Sequence, residues 1–349
     1  MTYAPRVRFS ALVALALAAL SLTPVSAQTP PKPNPQMKAV LTALGSLGGK
    51  PIETLTPAQA RKQPGPPDAV KVVLKKQGKS TAPEHVAKVE DRTVPGPGGS
   101  IPVRVYTPEG SGPFPVLVYF HGGGWVIASV QAYDSSCRAL ANLAKCVVVS
   151  VGYRQAPEHR FPAAHEDSYA ATQYVMTHTA SFGGDPMRVA IGGESAGGNL
   201  AAAVCLMARE RGGKMPIYQM LVYPIAGYDF NTPSYLENAK AKPLNRAMMI
   251  WFFRYYLRTP KDAQSPYISL VKVKNLRGLP PATVITAQID PLRSEGKTYA
   301  DHLRTAGDAV VYRNFSGVTH EFFGMGAVVD KAKQANALAA QGLRSAFSK

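Results

Sequence analysis

Cysteine is scarce in this chain, with three residues among 349, at positions 137, 146 and 205. Each cysteine lies inside an apolar stretch, and the three show neither the paired framework of a disulfide scaffold nor the spacing of metal ligands. We therefore expect buried, unpaired thiols and no metal or other cofactor. A bridge between Cys137 and Cys146 stays open, since an oxidising compartment would permit it.

Acidic residues are also few, at 22 against 39 lysines and arginines, which leaves a formal net charge of +17. A basic excess of this size is found in proteins that bind nucleic acids or anionic surfaces. Here the basic residues are scattered, with no basic run interleaved with aromatic residues. We therefore expect the charge to serve solubility and surface adhesion, and we expect no nucleic-acid partner.

Long hydrophobic runs are missing as well. The apolar stretch "FSALVALALAALSL" near the start is well short of the ~20 residues that a membrane-spanning helix needs. It follows Arg6 and Arg8 and precedes "VSA", a small-x-small sequence that ends at Ala27. This pattern predicts a cleavable secretory signal over residues 1–27, no stable membrane span, and a periplasmic or secreted product.

The rest of the chain divides by composition into two parts. Residues 28–88 are rich in Pro, Lys and Gln, and we interpret them as a tether that ends in amino-terminal cap helices, with weak helical patterns around "PQMKAVLTALGSLGG" and "PAQARK". From residue 89 to residue 349, short β-branched runs alternate with helical segments. Such runs are typical of parallel strands buried on both faces, so we predict an α/β domain with helices on both sides of its sheet.

One connection in this domain is unusually long. Residues from about 228 to 267 are rich in aromatic side chains and separate two predicted strands. A connection of this length is most often a functional lid. We expect a helical cap over the carboxyl ends of the strands, together with the amino-terminal helices.

The stretch "IGGESAGGN" crowds small residues around a single hydroxyl, that of Ser195. Residues 193–197 match the pattern G-x-S-x-G, directly after a predicted strand and before a predicted helix. In that setting the serine occupies a strained turn that exposes its oxygen, and its neighbours must be small because strand and helix approach closely. Ser195 is therefore our candidate nucleophile.

A serine nucleophile needs a histidine base, and His302 and His320 are the histidines that follow Ser195. His302 lies in a predicted helix, whereas His320 lies in the loop "SGVTHEFF" after the strand "VVYRNF". Parallel sheets with this elbow carry their triad in the order serine, acid, histidine. We therefore expect His320 to be the base.

The acid should lie between these two residues in the chain. Asp290 ends the strand "ATVITAQID" and is followed by a proline, which leaves its side chain at the edge of the sheet. Other carboxylates in this part of the chain lie in or after the next helix and are poorer candidates: Glu295, Asp301 and Asp308.

A second glycine cluster, "HGGGW" at residues 121–125, follows the strand "VLVYF". A phosphate loop is excluded because no Gly-Lys-Ser/Thr follows it. Consecutive glycines leave backbone amides bare, so Gly122 and Gly123, with the amide of Ala196, are candidate donors to a developing oxyanion. Such an oxyanion hole is worth about 3 kcal/mol per donor.

With these motifs the chain resembles the hormone-sensitive-lipase-like group of α/β-hydrolases, also known as bacterial lipolytic family IV. The resemblance covers the chain from about residue 102 onward and rests on "HGGGW", "YRQAPEHRFPAAHED", "GDPMRVAIGGESAGGN", "DPLRSEG" and "GVTHEF". It implies a mostly parallel eight-stranded sheet with a helical cap, and a serine carboxylesterase acting on short- to medium-chain esters. Glu194 departs from the pattern, which often has aspartate there.

Other functions remain open at this point. An amidase or deacetylase would use the same triad, and a non-catalytic ligand-binding relative would have lost a triad member, whereas all three residues are present here. Polyester hydrolysis also stays open. We expect a small-molecule ester as the partner, and the sequence does not distinguish a monomer from a homodimer.

Overall fold

Eight strands form one sheet in the order β1-β2-β4-β3-β5-β6-β7-β8 in the computed structural model, which describes residues 1–4 and 31–349. The β1–β2 and β2–β4 pairs are antiparallel, and all other neighbours are parallel. The predicted α/β fold with a mostly parallel eight-stranded sheet is therefore confirmed. The proposed signal at residues 1–27 falls, apart from its first four residues, outside the part of the chain that is described.

The strands are β1 (Lys88–Gly96), β2 (Gly99–Thr107), β3 (Phe114–Phe120), β4 (Val147–Val151), β5 (Gly184–Glu194), β6 (Gln219–Val222), β7 (Ala282–Ile289) and β8 (Val310–Thr319). The α-helices are α1 (Pro35–Ser46), α2 (Pro57–Ala60), α3 (Pro66–Lys76), α4 (Asp134–Ala144), α5 (Ala163–Thr177), α6 (Ala196–Arg211), α7 (Pro233–Glu237), α8 (Arg246–Tyr256), α9 (Arg293–Thr305) and α10 (Asp330–Phe347).

The central strands are buried on both faces, as their uninterrupted apolar sequences predict. All five residues of β4 and all four of β6 are buried. Two hydrophobic clusters result: α5, α6 and α9 contribute to one, and α1, α3, α4 and α10 contribute to the other. The sheet is thus covered on both faces, and the loops with the candidate site residues follow the carboxyl ends of its parallel strands.

Helix α3 was not predicted from the sequence. It begins at two prolines, a residue type that fits the first turn of a helix, and buries Ala69, Val73 and Leu74. The lysines of α3 lie among these apolar residues, so the composition of residues 28–88 does not predict the helix. Helices α1 and α3 pack on each other, and the side chains of Met37 and Val73 join the cluster beside the loop that follows β8.

Strand β8 extends further than the sequence pattern predicts. The residues "SGVT", which the sequence predicts to open a loop, belong to the strand. Pairing with β7 resumes at Thr319, opposite Ile289, after a register irregularity between Ala287 and Ile289. His320 therefore follows the strand directly rather than lying four residues into a loop.

The connection between β6 and β7 contains α7 and α8, in the region predicted to be a cap. Trp251 on α8 donates its indole N–H to the carbonyl oxygen of Leu55, 2.9 Å away, and Asn245 bonds to Glu53. The amino-terminal segment before α2 is thus joined to this connection. No helix among residues 1–4 and 31–349 is long and apolar enough to cross a membrane.

All three cysteines are buried and unpaired. Burial raises the pKa of Cys146 and of Cys205 to about 12, so these thiols stay protonated and inert at ordinary pH.

Candidate active site

Ser195 lies in the sharp turn between β5 and α6, with a φ of 58° and a ψ of −119°. This backbone conformation is unfavourable for a residue with a side chain and is held by its surroundings. A Cβ on Gly193 would come 2.5 Å from the backbone of Gly197, and one on Gly197 would overlap the carbonyl oxygen of Phe120. The glycines are therefore required because strand, turn and helix touch through bare backbone.

Three predicted side chains meet at this turn. His320 Nε2 lies 2.9 Å from Ser195 Oγ, and His320 Nδ1 lies 2.7 Å from Asp290 Oδ2. Ser195 is 4% exposed, His320 3% and Asp290 0%, so the chain of hydrogen bonds is shielded from bulk water. The alternative base, His302, lies on an exposed face of α9.

Asp290 is held in place by the backbone that follows it. Its Oδ1 accepts the N–H of Leu292 at 2.8 Å, which leaves Oδ2 for the imidazole. This arrangement fixes Nδ1 as the protonated nitrogen of neutral His320, so that Nε2 carries the lone pair facing Ser195. Of the weaker acid candidates, Glu295 bonds instead to the backbone amide of Ala226.

The electrostatics of His320 reflect two opposing effects. Burial by itself lowers the pKa of a histidine, but the charge of Asp290 and its hydrogen bond, with Glu321 and Glu194 nearby, raise the pKa of His320 above its ordinary value. A base with a raised pKa takes a proton from serine more readily, and it becomes protonated and inactive at a correspondingly higher pH.

The loop "HGGGW" lies directly over the elbow. A Cβ on Gly122 would come 3.1 Å from Cβ of Ser195, and Gly123 has a φ of 91°. Within residues 31–349, the amides of Gly122, Gly123 and Ala196 donate no hydrogen bond to another protein group. Bare amides in this loop and at the start of α6 are the kind of donor that stabilises a developing negative charge.

Neighbouring residues hold this loop from several sides. The Tyr153 hydroxyl donates to the carbonyl oxygen of His121 at 2.8 Å, and the two rings stack with centroids 4.4 Å apart. Trp125 stacks on Tyr256, with ring centroids 4.3 Å apart. Arg61, from the amino-terminal segment, donates to the carbonyl oxygen of Val126 at 2.8 Å.

The stretch "YRQAPEHRFPAAHED" contributes structure rather than acid–base chemistry. Its Glu158 pairs with Arg61, and its buried His165 lies 2.7 Å from the Tyr256 hydroxyl and 3.0 Å from Asn199 Oδ1. No group of three or more candidate metal ligands occurs among the residues that the structure describes.

Sequence reasoning missed two carboxylates at this site. Glu194, next to the serine, accepts hydrogen bonds from the hydroxyls of Tyr119 and Tyr223, and burial raises its pKa to about 7. Glu321 follows His320 and bonds to Tyr133. Their positions beside the two candidate catalytic residues were the available signal, but only the fold shows which way each side chain points.

This geometry supports acyl transfer. Nε2 is positioned to take the proton of Ser195 Oγ, and the freed oxygen can attack a carbonyl carbon whose oxygen faces the bare amides. The carbonyl's leaving group can then be protonated by the same imidazole.

Known proteins share both the sequence and the fold. A family model for the α/β hydrolase fold matches residues 117–324. The carboxylesterase NlhH of Mycobacterium tuberculosis is 40% identical over 265 residues, which cover 74% of this chain and 83% of NlhH. The ethyl acetate hydrolase of Pseudomonas putida is 31% identical over 319 residues, covering 89% of this chain and 98% of that protein.

A solved structure gives the same result in three dimensions. The hyperthermophilic esterase of Pyrobaculum calidifontis superposes with a TM-score of 0.79 at 40% identity, covering 87% of this chain and 96% of that one. The chain therefore belongs to the α/β-hydrolase family, in its hormone-sensitive-lipase-like group of carboxylic ester hydrolases.

Proposed function

We propose that this esterase acts through Ser195 as nucleophile, His320 as general base and Asp290 as the group that orients and stabilises the imidazolium. The observation that carries the proposal is the unbroken hydrogen-bond chain from Ser195 Oγ through both ring nitrogens to Asp290 Oδ2, at 2.9 Å and 2.7 Å. These separations lie within the range over which a general base takes a proton.

The reaction has two halves. Ser195 Oγ attacks the ester carbonyl as its proton moves to Nε2 of His320, and the amides of Gly122, Gly123 and Ala196 hold the oxyanion. His320 then returns the proton to the alcohol oxygen, which leaves an acyl-serine. Water, deprotonated by the same nitrogen, attacks the acyl-serine and releases the acid.

We propose further that the acyl chain is short to medium. The cap connection places bulky rings against the glycine-rich loop, and a Cβ on Gly124 would overlap the ring of Phe252 on α8. Bulky aromatic side chains packed against this loop support a short rather than a long acyl chain. A relative with 31% identity is named for the hydrolysis of ethyl acetate, whose acyl group has two carbons.

Export is the third part of the proposal. Arg6 and Arg8, the short apolar run and the small residues ending at Ala27 favour a secretory signal and a periplasmic or secreted enzyme. Fractionation of cells that express the full chain, with amino-terminal sequencing of the product, tests this. A product in the cytoplasm that retains residues 1–27 would contradict it.

The catalytic proposal is tested with the chain from Gln28 onward and its Ser195→Ala variant, using p-nitrophenyl acetate, butyrate, octanoate and palmitate at pH 8. We expect kcat to fall by a factor of about 10⁴ or more in the variant, and the shorter esters to react fastest in the wild type. Turnover that survives in the variant would reject Ser195 as nucleophile, and a preference for palmitate would reject the chain-length proposal. Matched amide substrates separate esterase from amidase.

A further inference from the structure

Glu321 occupies an unusual position immediately after the candidate base. Its backbone has a φ of 67°, in the left-handed region that favours glycine. A glutamate there is strained by its own Cβ, so the surrounding structure holds it in this conformation.

The carboxylate of Glu321 points back toward the reacting atoms. Oε1 lies 3.8 Å from Nε2 of His320, the nitrogen that faces Ser195. The Tyr133 hydroxyl donates to the same carboxylate, at 2.8 Å from Oε1 and 3.0 Å from Oε2. The side chain of Glu321 is 21% exposed, so part of it is accessible to solvent.

Tyr133 connects this carboxylate to the oxyanion loop. It is buried, its ring lies 5.9 Å from that of His121, and its hydroxyl occupies the space that a Cβ on Gly122 would fill. Glu321 and Tyr133 therefore join the loop that carries His320 to the loop that carries the bare amides.

Other charged and titratable groups around His320 have different partners. Asp290 bonds to Nδ1 on the opposite side of the ring, and the carboxylate of Glu194 is held by two tyrosine hydroxyls. Among residues 31–349, Glu321 is the carboxylate that lies within 4 Å of Nε2. The groups that face this region from the surrounding elements are Asp290, Glu194, Tyr119, Tyr133, Tyr153, Tyr223 and His121.

We propose that Glu321 is a positioning residue for the ester hydrolysis: its carboxylate stabilises the His320 imidazolium from the Nε2 side while its bond from Tyr133 fixes the base against the oxyanion loop. Burial raises the pKa of Glu321, while the charge of His320 and the hydrogen bond from Tyr133 oppose that rise and favour the ionised carboxylate. A negative charge at this distance in turn favours the protonated ring that forms when Ser195 loses its proton. Asp290 and Glu321 thus flank the imidazole from both nitrogens.

The inference rests on the proposed roles of Ser195 and His320, and Glu321→Gln tests it. Glutamine has the same size and keeps an acceptor for Tyr133, but it carries no charge. Because the imidazolium loses a stabilising charge, we expect the acidic limb of the kcat/KM profile to move to lower pH by about one pH unit, with a several-fold lower kcat at pH 8.

Two further variants separate charge from structure. Glu321→Gly removes the backbone strain together with the charge, so it should fold at least as well as wild type and show the same shifted limb. Tyr133→Phe keeps the carboxyl group but removes the hydrogen bond that favours its ionised form and joins the two loops. We therefore expect kcat to fall while the limb moves by less than in the Glu321 variants.

The expected shift of the acidic limb is about one pH unit. A limb whose midpoint stays within about 0.2 pH units of the wild-type value in both folded Glu321 variants would therefore overturn the inference. The Ser195→Ala variant keeps this outcome distinct from failure of the proposed function. If Ser195→Ala is inactive while the Glu321 variants show unchanged profiles, only the role of Glu321 is rejected. If Ser195→Ala remains active, the assignment of the catalytic residues fails.

Discussion

Two turns at the carboxyl edge of the sheet meet at the candidate active site, and they achieve their shapes in opposite ways. The turn after β5 surrounds Ser195 with glycines because backbone atoms of neighbouring elements leave no room for a Cβ. The turn after β8 has a glutamate at the left-handed residue, Glu321, and holds it through the Tyr133 hydroxyl. Steric exclusion determines the first turn, and polar contacts stabilise the second.

The difference shows that a strained backbone conformation can be held either by the packing of neighbouring backbone or by hydrogen bonds of the residue's own side chain. At Ser195 the strain is imposed by the packing of β5 and α6, so Gly193 and Gly197 have no room for a Cβ. At Glu321 the strain depends on one side chain and its partner, so substitution there should alter chemistry more than folding.

The largest expected effect is at the glycine-lined turn. Gly197→Ala places a Cβ against the carbonyl oxygen of Phe120, and we expect destabilisation by about 4 kcal/mol or more and loss of esterase activity. Urea unfolding measures it. Gly45→Ala is the matched control, because a Cβ there meets nothing within 4 Å and should stabilise α1 by up to about 1 kcal/mol. Equal stability of the two variants would contradict steric exclusion as the cause.

A smaller effect is expected where the base is oriented. Asp290→Asn should leave the fold intact but lower kcat by a factor of about 10⁴, because an amide no longer holds Nδ1 as the protonated nitrogen. Steady-state kinetics on p-nitrophenyl butyrate measures this. Asp301→Asn, in an exposed ion pair on α9, is the control and should retain wild-type kcat. A loss below tenfold in Asp290→Asn would show that another group orients His320.

The third prediction concerns the carboxylate beside the nucleophile. Burial raises the pKa of Glu194 to about 7, so its protonated form is favoured in the folded state. The stability this contributes is fully present below the ordinary pKa of glutamate and is lost as the pH rises through 7. The loss amounts to about 3 kcal/mol between pH 4 and pH 8.

Glu194→Gln should flatten this part of the pH dependence, because glutamine does not ionise. Urea unfolding of both proteins at pH 5 and pH 8 measures the difference. Glu109→Gln, in an exposed pair with His85, is the control and should retain the wild-type slope. A wild-type slope in Glu194→Gln would show that Glu194 is ionised throughout, stabilised by its two tyrosines.

The two turns also differ in how well the sequence predicts them. The glycines around Ser195 and in "HGGGW" indicate positions where a Cβ does not fit. The turn at Ser195 and the bare amides are therefore predictable from residue types. His320 and Asp290 are predictable because strand ends and chain order restrict the choice. The catalytic role of these residues stays a prediction until the variants are measured.

Glu321 was not predictable in the same way. Nothing in "THEFF" shows that its glutamate adopts a positive φ or that its partner lies 188 residues earlier in the chain. Helix α3 was missed for a related reason, since its apolar face is interpretable only against the surface of α1 and the loop after β8 that it covers.

The sequence by itself determined the sheet, the nucleophile turn and the order of the candidate catalytic residues, because these depend on local hydrophobic periodicity and on where a Cβ can fit. Only the tertiary structure decided which ionisable side chains share the site with them and in which direction their pKa values shift. Burial, long-range hydrogen bonds and the separation of charges in space set these properties, and none of them is encoded in a short stretch of residues.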